Sequence, residues 1–324
     1  MIPLLFSLGL ELNASHSFAL KSAQGSPLHR SPALTASISA LKYDEFLPRY
    51  LHSFRARREE LVSVSDSVEN SIYEYDVSPG KPRLIRTLTG LSHPGGLALD
   101  NVDDLLVANE NASNVLKFLS DGAGPIIYSD TNQLPNDVAS CQDGMTYAAS
   151  AQDIAVYKHG SHKPDRYVTV LSGGSIISSI TCDRESNVYI LADTVGGIVV
   201  KYSSGLKGIG VTLPMSVPDP EGIRVTRNGD IVISYQYNYY GHLDGVVGFF
   251  HSDSSSSYKQ ISLPEDDSAA LFSLDQTENH LWIATNGRFE YPVLYDVSAS
   301  DGHIVREIDG VSGGAFWGVA VCDK

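Results

Sequence analysis

GLALDNVDDLLVANENASNVLKFLSDG, running from Gly96 to Gly122, carries the pattern on which the fold rests. A short apolar strand opens it, a polar turn follows, and a β-branched strand ends in Ala108-Asn109. A third strand containing Phe118 then leads to a Ser-Asp-Gly turn and the start of a fourth strand. The chain repeats this unit: DVASCQDGMTYAASAQDIAVYKHG from Asp137, SITCDRESNVYILADTVGGIVVKYSSG from Ser179, GIRVTRNGDIVISYQ from Gly222 and SLDQTENHLWIATNG from Ser273. A last fragment, GVAVCDK, begins at Gly318. The anchors lie 41, 42, 43, 51 and 45 residues apart, the length of a four-stranded antiparallel unit with short turns. Alternation in LLVAN, VYILAD and IVISY predicts half-buried strands, and no ten-residue stretch here sustains a helical period. Asp143-Gly144, Asn228-Gly229, Asp121-Gly122 and Asp301-Gly302 stand where the chain must reverse.

The two ends complete one another. GVAVCDK is one strand only, whereas the first copy, ELVSVSDSVENSIYEYDVSPGKPRLIRTL over 60–88, lacks that strand and begins with its second. VSDSVENSIYEYD matches VANENASNVLKFLSD almost position for position. Joined, the fragments make a sixth unit, and a ring closed in this way has no exposed sheet edge. The sequence therefore predicts an all-β, six-bladed β-propeller of four-stranded blades over 58–324, closed by the C-terminal strand.

Composition narrows the partners. The 324 residues carry 23 basic and 38 acidic side chains, a formal charge of −15, with 42% hydrophobic residues. An acidic chain without a basic block does not suit nucleic acid. No apolar run after the first ten residues is long enough to span a bilayer. Cys141, Cys182 and Cys322 all fall on innermost strands and read as small buried hydrophobes, with pairing between adjacent blades the exception. Residues 1–57 read as a leader and linker. MIPLLFSLGL with Ser17-Phe18-Ala19 fits a signal peptide and hence a secreted or periplasmic protein. The missing basic residue and the early Glu11 fit instead a disordered leader on a cytoplasmic chain. We expect a monomer.

HPGGLALD followed by LLVANENASNVLKF resembles an NHL-type propeller repeat, over 59–324. LPNDVASCQDGMTYAAS is similar to the Pro-Asn-Asp segment of the gluconolactonase/senescence marker protein superfamily. That second resemblance implies metal ligands just before several inner strands, beginning with a Glu-Gly pair, and oxygen donors of this kind suit Ca²⁺. The matching positions here are Gly95, Asn136, Ser178, Glu221, Phe272 and Trp317. Glu221-Gly222 matches the family's glutamate, and Asn136 stands where relatives place an aspartate. Gly95 and Trp317 depart from the pattern and supply no ligand.

Other candidates lie on the same face, which carries the loops entering the inner strands and those between second and third strands. The 51-residue spacing points to an insertion, SYQYNYYGHLDG (Ser234 to Gly245), with Tyr235, Tyr237, Tyr239, Tyr240 and His242. Tyrosines on a loop make a good contact surface, each bringing a large ring and a polar tip; the alternative is a loop whose rings pack beneath it. Arg288, Glu290 and Tyr291 in TNGRFEYP, together with Asn109, Glu110 and Asn111, extend the rim, and His93 enters it before Pro94. Asn136 also reads as a turn former. No HExxH, nucleophile elbow, phosphate loop or dinucleotide fingerprint occurs. The expectation is a binding or scaffolding propeller for a protein, peptide, carbohydrate or small polar ligand. The competing expectation is a metal-dependent lactonase or ester hydrolase, with Glu221 and Asn136 as ligands and His93 or His242 moving protons.

Overall fold

A computed structural model describes residues 60–323 except 79–80, 130–132, 172–174, 195, 240–241, 265–266, 286–290 and 311–313. The leader and linker therefore lie outside the described residues. Six four-stranded antiparallel sheets follow one another around a ring. We number the blades from the one that holds both chain ends. Its inner strand is Phe316–Asp323. The inner strands of blades 2 to 6 are Pro94–Leu99, Pro135–Ser140, Ile176–Cys182, Pro220–Val225 and Ala269–Leu274. Among the described residues no helix is long and apolar enough to cross a membrane.

The ring closes as the two fragments require. Phe316–Asp323 pairs antiparallel with Glu60–Asp66, in a register running from Glu60 opposite Asp323 to Val64 opposite Val319 and Asp66 opposite Phe316. Val62, Val64, Phe316 and Val319 of this seam are fully buried. Ser65 Oγ takes a hydrogen bond from the Gly318 N–H at 2.8 Å and donates one at 2.7 Å to the Gly95 carbonyl. One hydroxyl thus ties the seam to blade 2. Ser179, Ser234 and Asp137 make comparable bonds to neighbouring inner strands elsewhere in the ring.

The core lies between blades. Each of six apolar clusters joins one adjacent pair, so both faces of a sheet are covered. This overturns the expectation of half-buried second strands: all five residues of Leu105–Asn109 and of Thr146–Ser150 are buried. Alternation survives only at the outer strands, such as Arg166–Thr169, where one face meets solvent. Trp282, Tyr147, Tyr157, Tyr235, Phe272 and Phe316 are the largest side chains sealed in these interfaces.

Three further expectations are corrected. In blade 6 Phe272 faces Ile283, as Ile223 faces Ile233 in blade 5. The copy therefore starts at Leu271, not Ser273, and Ala270 rather than the buried Phe272 occupies the entry position. The insertion of blade 5 is not a loop. Ile231–Tyr239 and His242–Phe250 are nine-residue strands paired along their whole length, so the extra residues lengthen the second and third strands beyond the blade. Finally, Cys141 and Cys182 form a disulfide between blades 3 and 4, with Cα atoms 5.5 Å apart; Cys322 is buried.

Candidate functional site

Entry into the inner strands is shaped by proline. Pro94, Pro135 and Pro220 each precede the residue at the channel mouth, Gly95, Asn136 and Glu221. Before two of them the backbone is left-handed, with φ of 54° at His93 and 40° at Asp219. A non-glycine residue ahead of proline pays for this conformation in strain. The corner returns a hydrogen bond: the His93 carbonyl accepts from Glu110 N–H at 3.2 Å, and the Asp219 carbonyl from Gln236 N–H at 3.1 Å. Ala315 O plays the same part toward Ser67 N–H in blade 1. These bonds hold the ends of the second strands beside the channel mouth.

Glu221 sits at this corner. Gln236 Nε2 donates to its Oε1 at 2.8 Å. Burial, then the negative charges of Asp219 and Asp193, push its pKa from 4.5 up to about 8, with the Gln236 hydrogen bond opposing. At neutral pH the carboxyl is mostly protonated and can donate a hydrogen bond as well as accept one. Asn136, two blades away, is held separately. Its Nδ2 donates to the carbonyls of Ile177 and Ser178 at 2.7 and 3.1 Å, which leaves its Oδ1 buried without a protein partner.

That oxygen has company. Among the described residues, the other buried side-chain oxygens without a partner are Asp66 Oδ2, Ser150 Oγ, Thr194 Oγ1 and Asp244 Oδ1. Asp66 and Ser150 end second strands, Thr194 follows one, and Asp244 lies on the lengthened third strand of blade 5. All five atoms therefore fall at the entry-loop face, spread over blades 1, 3, 4 and 5. An unpartnered buried polar atom costs ~1–3 kcal/mol, and native proteins keep few of them.

The remaining candidates divide. Tyr235 is 1% exposed, packs between blades 4 and 5 and accepts from Gln260 Nε2 at 3.0 Å, so its ring belongs to the core. Tyr237 stands on the hairpin extension at 44% exposure, edge-on to Tyr235 with ring centroids 5.4 Å apart. Tyr239 pairs with His242 at the hairpin tip. Tyr240 and Arg288 lie outside the described residues, as does Glu290, while Tyr291 is exposed. His93 Nδ1 meets Glu110 Oε2 at 2.7 Å, a solvent-reached pair on the same face. Asn109, expected on the rim, is buried: its Oδ1 accepts from Ser92 N–H and its Nδ2 donates to Asn114 Oδ1.

The donor set for a divalent cation is short. Glu221 and Asn136 offer at most three oxygens where Ca²⁺ takes six to eight. Among the described residues no group of three or more His, Cys, Asp and Glu side chains is placed to hold a metal ion. These residues alone do not make a cage.

No protein-family model matches the chain, and no curated protein matches it. The fold and the chemistry of its two faces are thus the whole basis for a functional reading.

Proposed function

We propose that the chain is a binding or scaffolding propeller of NHL type that engages its partner through the entry-loop face. The observation that carries this reading is the exposed Tyr237 ring, carried on the stiff two-stranded arm that blade 5 extends at that face. The solvent-reached His93–Glu110 pair adds polar groups on the same face. Aromatic rings beside polar groups suit a peptide, a carbohydrate or a small polar molecule. Panning a peptide library and a glycan array with wild type and Tyr237→Ala tests this. Ligands that weaken about tenfold on Tyr237→Ala support the assignment; binders indifferent to that change and to Asn136→Ala count against it.

A second reading, a metal-dependent lactonase or ester hydrolase, rests on Glu221 and the free Asn136 Oδ1. A cation taken up by Glu221 must displace its proton, since a ligand carboxylate is deprotonated. Titrating Ca²⁺ into weakly buffered protein at pH 7 would then release close to one proton per site and raise the melting temperature. Lactone hydrolysis that follows the same titration would favour this reading over the first.

A further inference from the structure

The opposite half of the channel has a different chemistry, and it bears on neither reading above. One level below the entry corner, five blades present Ala98, Ala139, Thr181, Ser273 and Ala320, and the sixth presents Arg224. The small residues leave a cavity of about 160 Å³ along the axis, and the guanidinium shares its wall. That is close to the ~150 Å³ cavity that accommodates benzene in a protein core. The cavity shares Ser140 and Cys182 with a wider vestibule of about 290 Å³ on the face of the loops between inner and second strands. Access is therefore from the side away from Glu221.

Arg224 is poorly compensated where it stands. Of five guanidinium N–H donors, one reaches a protein acceptor among the described residues: Nη1 donates to the Ile223 carbonyl at 2.7 Å. Its carbon lies 5.9 Å from the centre of the Phe272 ring. The nearest buried acid, Asp137, is occupied otherwise, by Ser179 Oγ at 2.6 Å and by the N–H groups of Ile180 and Val138 at 2.9 and 2.8 Å. Burial lowers the pKa of Arg224 despite the attraction of Asp137, and raises that of Asp137 despite Arg224. Desolvation thus outweighs attraction on both sides, as expected when a buried carboxylate and a half-buried guanidinium are not in contact. At the vestibule the acids are also engaged. Glu278 Oε1 accepts from Arg227 N–H, and Asp183 accepts from Asn187 and Tyr189.

We propose that the lower channel is a binding site for a small oxyanion, a phosphate or carboxylate group held by Arg224 with the Thr181 and Ser273 hydroxyls. A charged fork with unused donors, set beside hydroxyl groups in a cavity open at one end, binds such groups by charge-assisted hydrogen bonds. The cavity admits inorganic phosphate or a short dicarboxylate, and excludes anything much larger than a benzene ring.

Calorimetric titration and thermal shift at constant ionic strength, with inorganic phosphate in one arm and malonate in the other, test the site. Wild type should bind at least one of them saturably, and the arm that responds identifies the chemistry. Arg224→Met should weaken that binding at least about tenfold, whereas Arg184→Gln, exposed at the mouth, should change it less than about threefold. If Arg224→Met does not fold, Ser273→Leu decides, because it fills the cavity and leaves the guanidinium in place. Binding of both anions that survives Ser273→Leu, or no saturable binding of either by wild type, overturns the proposal.

Discussion

Replacing Glu221 by Gln removes one titrating group and little else, since the amide keeps the shape and can still accept from Gln236 Nε2 at Oε1. In the unfolded chain the carboxyl ionises near 4.5, and in the folded protein near 8. Below pH 4.5 both states hold the proton and the group is neutral in its effect. Between the two values the folded state keeps a proton that the unfolded chain has released, so stability falls as pH rises. Above 8 the full penalty is present. At about 1.4 kcal/mol per pH unit between the two values, the loss amounts to ~5 kcal/mol at most. Partial access of solvent to the carboxyl reduces this to about 2–4 kcal/mol. For a domain of this size that corresponds to roughly 5–10 °C in melting temperature. Melting curves of wild type and Glu221→Gln from pH 5 to pH 9 should therefore diverge, the variant gaining relative stability as pH rises. Every other group is common to the two proteins and cancels in the comparison. Parallel curves would refute the assignment of a neutral Glu221 at the channel mouth.

The two neighbouring tyrosines should separate cleanly. Tyr235→Ala empties a buried site between blades 4 and 5 and should cost about 3–5 kcal/mol in denaturant unfolding, whereas Tyr237→Ala should stay within about 0.5 kcal/mol. Ser65→Ala leaves both the Gly318 N–H and the Gly95 carbonyl without their shared partner and should cost about 2–4 kcal/mol in the same assay. Cys141 and Cys182 close a 41-residue separation, so the double serine variant should lose about 2–4 kcal/mol relative to the oxidised protein. A melting temperature unmoved by reducing agent would contradict that pairing.

Blade number and closure were legible because each blade repeats its turn chemistry, as at Asn228-Gly229 and Asp301-Gly302, and because the two end fragments are complementary. The register of blade 6 was not. A displacement of two residues, Leu271 against Ser273, preserves alternation along a strand, and an irregularity between Ala269 and Phe272 conceals it further. The hairpin of blade 5 read as a loop because its glycines and tyrosines interrupt the apolar pattern; cross-strand pairing from Tyr235–Val246 to Tyr239–His242 makes it sheet. The disulfide depends on a Cα separation that no spacing reveals. At the site, Glu221 and Asn136 stand at the predicted corner, but the orphaned oxygens of Asp66, Ser150 and Thr194 depend on which hydrogen bonds the neighbours have already taken. Arg224 was missed for a simpler reason. It lies inside an apolar strand, GIRV, where the signal was its contrast with alanine, serine and threonine at the same level of the other blades.

Both proposed sites depend on a ring sealed by its own tail, because only then do the six inner strands share one axis, with Glu221 toward one end and Arg224 toward the other. Amide hydrogen exchange of the segment 316–323, followed by mass spectrometry, tests this without altering the protein. A sealed ring gives protection comparable to that of the Ile176–Cys182 and Pro220–Val225 inner strands, lost only on global unfolding. Exchange of 316–323 within seconds, while the other inner strands remain protected, would contradict it.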